Sequence, residues 1–352
     1  MGRVRLAVVG AGLIGEKHAR LVSGHSGTEL VGVCDVDLKH RSTADALGVP
    51  FYQHVEELLE RERPEGAIVA TPNHLHASVA EVCARQAVHI LVEKPIGDTL
   101  EAASRIVEVA EKNEVQVLVG QHRRHNPLIR EARTIVKDGT LGKLVAVSML
   151  WALLKPADYF AVGWRSRRPG GGPIFINLIH ELDTLRFICG EISQVCALAS
   201  AAVRKFAVED SMSLSLAFEN GALGSVVASD ATPAPWSYEA TSGENPYYFS
   251  SDENCYHFLG TLGSLAFPQL DLWRYASEGR SGWQYPLEKS RRQIVAQDPL
   301  LLQLEHFCRV IRYGEKPLVD GGDGRRSLEV ALAVMESAQR QMPIALPEYR
   351  ES

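Results

Sequence analysis

What this chain lacks narrows its chemistry first. No CxxC pair occurs among its six cysteines, Cys34, Cys83, Cys189, Cys196, Cys255 and Cys308. Neither a zinc site nor a disulfide framework is indicated, so no metal is expected. Free, mostly buried thiols in a reducing cytoplasm are the expectation. Positive charge is not in excess: 37 Lys and Arg stand against 43 Asp and Glu, a net charge of −6. That balance gives no electrostatic footing for nucleic acid or an anionic membrane. A small-molecule partner is the better default. No apolar run is long enough to span a bilayer, and the opening MGRVRLAVVG is too short for a signal h-region. Internal repeats are absent, and the only low-complexity feature is a triple glycine at 170–172.

What is present is ordinary globular material. With 352 residues, 45% of them apolar and 23% charged, the chain is comfortable as two domains with sizeable cores. Up to about residue 123, short β-branched runs (VRLAVVG, ELVGVCD, GAIVATP, HILVEKP, VQVLVGQ) alternate with helical stretches such as EKHARLVSG and AASRIVEVAEKN. This rhythm predicts βαβ units and a parallel sheet covered on both faces, an α/β domain over 1–123. Afterwards the texture changes to alternating runs, KLVAVSMLW, SQVCALASAAV, SMSLSLAFENG, GSVVASDAT and GSLAFPQLDLW. They predict an α+β domain over 124–352 with an open, largely antiparallel sheet and a closing helix in RRSLEVALAVMESAQRQ. An open sheet face wants cover, so a homodimer or homotetramer through that face is expected.

GAGLIG, residues 10–15, follows the strand RLAVV and opens a helix. Gly10 permits the tight turn, Gly12 a close approach to a pyrophosphate, and Gly15 close helix packing, while the amides around Leu13 and Ile14 at the helix start attract anions. Alone the pattern is weak. Asp35, twenty residues after Gly15 at the end of the next apolar strand, strengthens it, because a carboxylate there accepts from both ribose hydroxyls of NAD. The same carboxylate repels a 2′-phosphate, though Lys39 and Arg41 offer NADP some compensation. These glycines and Asp35 make a Rossmann dinucleotide-binding domain the reading.

Strand ends on the carboxyl side of such a sheet face the ligand crevice. Thr71, Pro72, Asn73 and His76 of ATPNHLH therefore belong to the expected cofactor set, although Asn73 and His74 fit equally well as turn formers. Gln121, ending VQVLVGQ, joins the same set. HILVEKP occupies the equivalent place one strand on. A lysine at the exit of a buried strand is costly unless it works. In a partly desolvated cleft Lys94 could exchange a proton with a substrate hydroxyl, with Glu93 orienting it or balancing its charge. The bland alternative is a surface lysine at a frayed strand end. In GGGPIFINLIHELDTLRFICG, a helix opening near Pro173 places Asn177, His180 and Asp183 or Thr184 along one polar stripe of an apolar helix. His180 is then a candidate general base or, just as readily, a core histidine satisfied by a carbonyl.

The order GxGxxG, Asp35, ATPNHLH, EKP, GQHRRHNP and a glycine run before HxxD resembles the glucose–fructose oxidoreductase, inositol dehydrogenase and MocA family. The likeness runs across nearly the whole chain and includes its closing helix and tail. It implies nicotinamide-dependent oxidation of sugars or cyclitols, with Lys94 and His180 as the catalytic pair and a proline after the lysine that is often cis. Many members carry an aspartate four residues before the histidine. Here Ile176 stands in that place, with Asn177 beside it.

For gripping a polyol the candidates are Arg123, with Arg124 and His125 at the expected domain junction, and Tyr159, Trp164 and Arg165 before the glycine run. Asn177, His180 and Trp236 complete the set. Trp236 opens the long segment 235–257, which also carries Glu244, Asn245, Tyr256 and His257 between two strands. A loop that long is usually functional, and its aromatic residues fit an oligomer contact equally well. The expected activity is an NAD-dependent dehydrogenase converting a secondary alcohol of a sugar, sugar derivative or cyclitol to a ketone. Two alternatives stand beside it: glycoside cleavage through transient oxidation, and a non-catalytic sensor of nicotinamide or sugar.

Overall fold

A computed structural model describes residues 2–168, 170–276 and 279–348. The chain divides into two units. The first holds residues up to His122 together with Leu300–Glu329; the second holds Arg123–Pro299 and the stretch beginning at Val330.

The first unit contains β1 (Val4–Val9), α1 (Leu13–Gly24), β2 (Thr28–Cys34), α2 (Arg41–Leu47), β3 (Phe51–Tyr52), α3 (Val55–Glu62), β4 (Gly66–Val69), α4 (His76–Arg85), β5 (His89–Val92), α5 (Leu100–Lys112) and β6 (Val117–Val119). Its strands pair in parallel in the order β3-β2-β1-β4-β5-β6. The near-continuous apolar strands GAIV and HILV are what a sheet covered on both faces requires. The order reverses between β1 and β4, so the glycine turn after β1 and the Thr71 segment after β4 meet at the switch point.

The second unit contains α6 (Pro127–Lys137), β7 (Leu144–Ala152), α7 (Ile179–Cys189), β8 (Ile192–Ser200), β9 (Ser211–Phe218), β10 (Leu223–Ser229), α8 (Tyr238–Thr241), β11 (Tyr256–Gly260), β12 (Gly263–Phe267), β13 (Asp271–Tyr275) and β14 (Leu287–Arg291), with β15 (Ile344–Ala345) at the tail. The sheet runs β14-β13-β12-β11-β7-β10-β9-β8-β15, antiparallel except for the β7–β10 pair. Alternation sorts its faces. Met212, Leu214, Leu216 and Phe218 of β9 point into the core while Ser213 and Ser215 point out. On the outward face Leu198, Leu223, Val227 and Leu259 are exposed among those serines.

Four expectations need correction. Residues 300–329 do not follow the second domain, because Leu304 and Phe307 of α9 (Pro299–Tyr313) join Leu6, Val8, Ile68 and Leu91 in the first unit's core. The closing helix α10 begins earlier than the RRSLEV run, spanning Gly321–Arg340. GSLAFPQLDLW is two strands, β12 and β13, with the proline between them. The helix after the glycine run opens as a π-turn, Ile174–Leu178, before α7 takes over.

Candidate active site

Gly10 adopts φ 92°, and a Cβ there would lie 2.6 Å from the Ala70 carbonyl carbon; a Cβ on Gly15 would lie 1.9 Å from the Gly10 oxygen. Only glycine lets the turn, the helix and the β4 exit pack so closely. A Cβ on Gly12, by contrast, would meet nothing within 4 Å. Gly12 caps α1 without any side-chain acceptor, so the first amides of the helix remain available to an anion. Asp35 accepts from the Ala11 amide (2.7 Å, Oδ2) and the Asp37 amide (2.9 Å, Oδ1). Each carboxylate oxygen keeps a second acceptor site, which suits two ribose hydroxyls. Leu13 and Ile14 are exposed, and the buried Thr71 Oγ1 has no protein partner. An open glycine cradle, a fixed carboxylate and an orphaned hydroxyl at one crevice fit NAD.

Around these, several residues serve differently from the sequence reading. Asn73 starts a tight turn, Asn73–Leu75, directly after the exposed Pro72, so the turn-forming role is the one its backbone fills. His76 is fully buried, its Nδ1 3.0 Å from the Pro95 carbonyl and its Nε2 2.9 Å from the Thr71 carbonyl. It is scaffold rather than a cofactor contact. Gln121 is buried, with its backbone N–H donating to the Val119 carbonyl. Lys94 is half-buried directly after β5, and the Lys94–Pro95 peptide is cis. Glu93 accepts the Lys94 amide at Oε2 (3.2 Å), but its other oxygen lies 2.7 Å from His18 Nε2. Its main side-chain partner is thus a histidine of α1 that the sequence reading passed over.

In the second unit, Asn177 and His180 are both nearly buried at the start of the helix. Asn177 Oδ1 accepts from Lys155 Nζ at 2.7 Å, and the same ammonium lies 3.3 Å from Asp230 Oδ2 and 4.9 Å from the Tyr159 ring centre. Burial is the largest influence on Lys155 and leaves it below the ordinary lysine value, against the opposing pull of Asp230. Arg165 stacks on Tyr159 at 4.1 Å and donates to the Tyr159 carbonyl, beside the exposed Trp164. Trp236 is also exposed. Lys155 was missed, yet its signal was the one that singled out Lys94: a lysine followed by proline just beyond an apolar strand.

Arg123 is corrected as a substrate residue. Its guanidinium is buried, donating to Glu181 (2.6 Å) and Glu239 (2.9 Å) and lying 4.1 Å from the Tyr238 ring centre. Burial opposes its charge, but the surrounding carboxylates outweigh that and raise it further. Arg124 forks onto Asp183 at 2.8 and 2.7 Å. Segment 235–257 is less loop than expected: Tyr238 and Glu239 lie in α8, Glu244 accepts from Tyr238 and Asn126, and Tyr256 and His257 belong to β11. Tyr256 is fully buried and donates to Glu181. No cluster of His, Cys, Asp and Glu that could hold a metal occurs among the described residues.

Residues 4–121 match the model of an oxidoreductase family with an NAD-binding Rossmann fold, and residues 129–266 match the GFO/IDH/MocA C-terminal domain. Among curated relatives, the chain is 34% identical to rhizopine catabolism protein MocA of Rhizobium meliloti over 54% of its own length and 59% of that protein's. It is 26% identical to myo-inositol 2-dehydrogenase of Thermotoga maritima over 98% of its own length and 99% of the relative's. The fold is shared with the WlbA dehydrogenase of Bordetella pertussis, solved with NADH and UDP-GlcNAcA, at TM-score 0.80 and 22% identity, covering 99% of this chain and 100% of that one. Matched in both of its units, the chain belongs to the GFO/IDH/MocA family of NAD-binding oxidoreductases.

Proposed function

We propose that this enzyme oxidises a secondary hydroxyl of a sugar, sugar derivative or cyclitol to a ketone. When bound, NAD+ supplies the hydride acceptor. Lys94 carries the reading: a half-buried lysine at the carboxyl end of β5, on the sheet edge where the glycine turn and Thr71 also emerge. His180 takes the hydroxyl proton as the carbonyl forms, and the Lys94 ammonium stabilises the developing carbonyl oxygen. Asn177, Lys155 and Tyr159 bind the substrate's other hydroxyls, with Trp164, Arg165 and Trp236 as an aromatic and cationic rim. The myo-inositol 2-dehydrogenase relative supports a cyclitol or sugar as the substrate class. The enzyme acts as a homodimer or homotetramer joined through the apolar positions on the outward sheet face.

The test is absorbance in the reduced-nicotinamide band with NAD+ or NADP+ and a panel of inositols, sugars, anhydrosugars and glycosides. Growth of the band with NAD+ and one substrate class identifies the activity. Silence across the panel with NAD+ binding intact overturns it, and points to the reaction without net NADH that Ile176, in place of the family's aspartate, leaves open.

A further inference from the structure

The Glu93-Lys94-Pro95 turn is gripped on two sides by buried histidines. On one side His18 Nε2 lies 2.7 Å from Glu93 Oε1, with the two side chains 1% and 9% exposed. The other carboxylate oxygen takes the Lys94 amide. Space for this carboxylate exists because residue 120 is glycine: a Cβ there would stand 3.0 Å from Glu93 Cδ and Oε2. On the other side His76 reaches the Pro95 carbonyl with one ring nitrogen and the Thr71 carbonyl with the other. A neutral imidazole has one N–H and both neighbours are acceptors, so the ring donates to the Pro95 or the Thr71 carbonyl, one at a time. Burial, the largest influence, keeps His76 below the ordinary histidine value despite both carbonyls and the Glu93 charge.

The two grips lead to different cofactor segments. His18 sits on the inner face of α1, the helix whose N-terminus follows the glycine turn. Thr71 belongs to the segment after β4 and carries the orphaned hydroxyl. From this we infer that His18 and His76 are positioning residues that hold Lys94 in register with bound NAD+, so that occupancy of the cofactor crevice is felt at the lysine. The inference rests on the role of Lys94 proposed above. The charged groups acting on Glu93 are His18 of α1, His122 after β6, and Lys94 itself. A positioning pair differs from simple core filling, because core filling would leave the lysine indifferent to either histidine.

The experiment needs no substrate. Trace labelling of the intact enzyme with acetic anhydride, read by mass spectrometry, compares Lys94 with the exposed Lys112 across pH, with and without saturating NAD+. In the native enzyme NAD+ changes Lys94 labelling relative to Lys112 at least threefold. In His18→Leu and His76→Leu that response is lost while NAD+ still binds, and His18→Gln and His76→Asn, which keep a donor, restore it. Should both leucine variants melt earlier yet keep the response, the histidines are only structural and the inference falls. An absent response in the native enzyme instead removes Lys94 from the cofactor's side, which is failure of the earlier reading.

Discussion

Replacing Asp35 by serine should overturn the enzyme's choice between NAD+ and NADP+. In the native chain each oxygen of Asp35 accepts one backbone amide, at 2.7 and 2.9 Å, and is thereby fixed toward the crevice. A 2′-phosphate about 4 Å away would be repelled by about 1 kcal/mol per unit charge in water and about 4 kcal/mol at an effective dielectric of 20. Ribose hydroxyls donating to the carboxylate contribute about 1.5–3 kcal/mol that serine does not match. Relief of one and loss of the other move the NADP+/NAD+ affinity ratio by about 2.5 kcal/mol or more, which is at least about 50-fold. Serine is chosen because its hydroxyl can still accept an amide of the turn. Lys39 lies 2.6 Å from Asp37, so it is engaged, and the double variant with Asp37→Ser should release it and widen the effect. Protein fluorescence titrated with NADH and NADPH gives both constants, and repeating it at low and physiological salt should shrink the difference as screening rises. A ratio that moves less than fivefold in a folded variant would refute the placement of Asp35 on the ribose.

Other consequences can be measured separately. Lys94→Ala should lose turnover by at least about 100-fold, the scale of removing one donor to a developing oxyanion, with NAD+ affinity unchanged by calorimetry. Lys155→Met should raise the substrate KM about tenfold or more through a lost charged hydrogen bond while NAD+ affinity holds; an unchanged KM would take Lys155 off the substrate. Arg124→Ala removes a forked partner from the buried Asp183 carboxylate, which also lies 3.8 Å from Arg186. It should cost about 3 kcal/mol, read from the urea transition of the second unit. Burial is the largest influence on Glu93 and raises it, but the His18 hydrogen bond and the charges of His18, His122 and Lys94 prevail and leave it below its ordinary 4.5. Its stabilising contribution is therefore complete above that value and lost as pH falls below it. A Glu93→Gln variant should melt with a flatter acid dependence, and an identical acid profile would contradict this.

The features legible in the sequence are those the chain writes locally. GAGLIG, its strand, its helix and Asp35 lie within one βαβ unit, and serine alternation in SMSLSLAF declares an outward face. Partners far apart in sequence were invisible. Glu93 and His18 are 75 residues apart, and Arg123 meets Glu239 across 116. Its place at the expected domain junction therefore made Arg123 look like a substrate clamp, whereas burial among carboxylates makes it a core ion pair. The π-turn at Ile174–Leu178 was hidden because no residue type marks it. Residues 300–329 read as a continuation of the second domain because sequence order says nothing of which core Phe307 enters.

That last placement has a bearing on how the chain is made. A ribosome emits the six parallel strands first, but Leu304 and Phe307, which complete their core, arrive some two hundred residues later. Until then the nascent sheet carries an unfilled apolar groove, and the second unit must be threaded through the interval. Residues 1–123 are thus a tempting fragment to express alone and a poor one, because the helix that closes their core, Pro299–Tyr313, is encoded long after them.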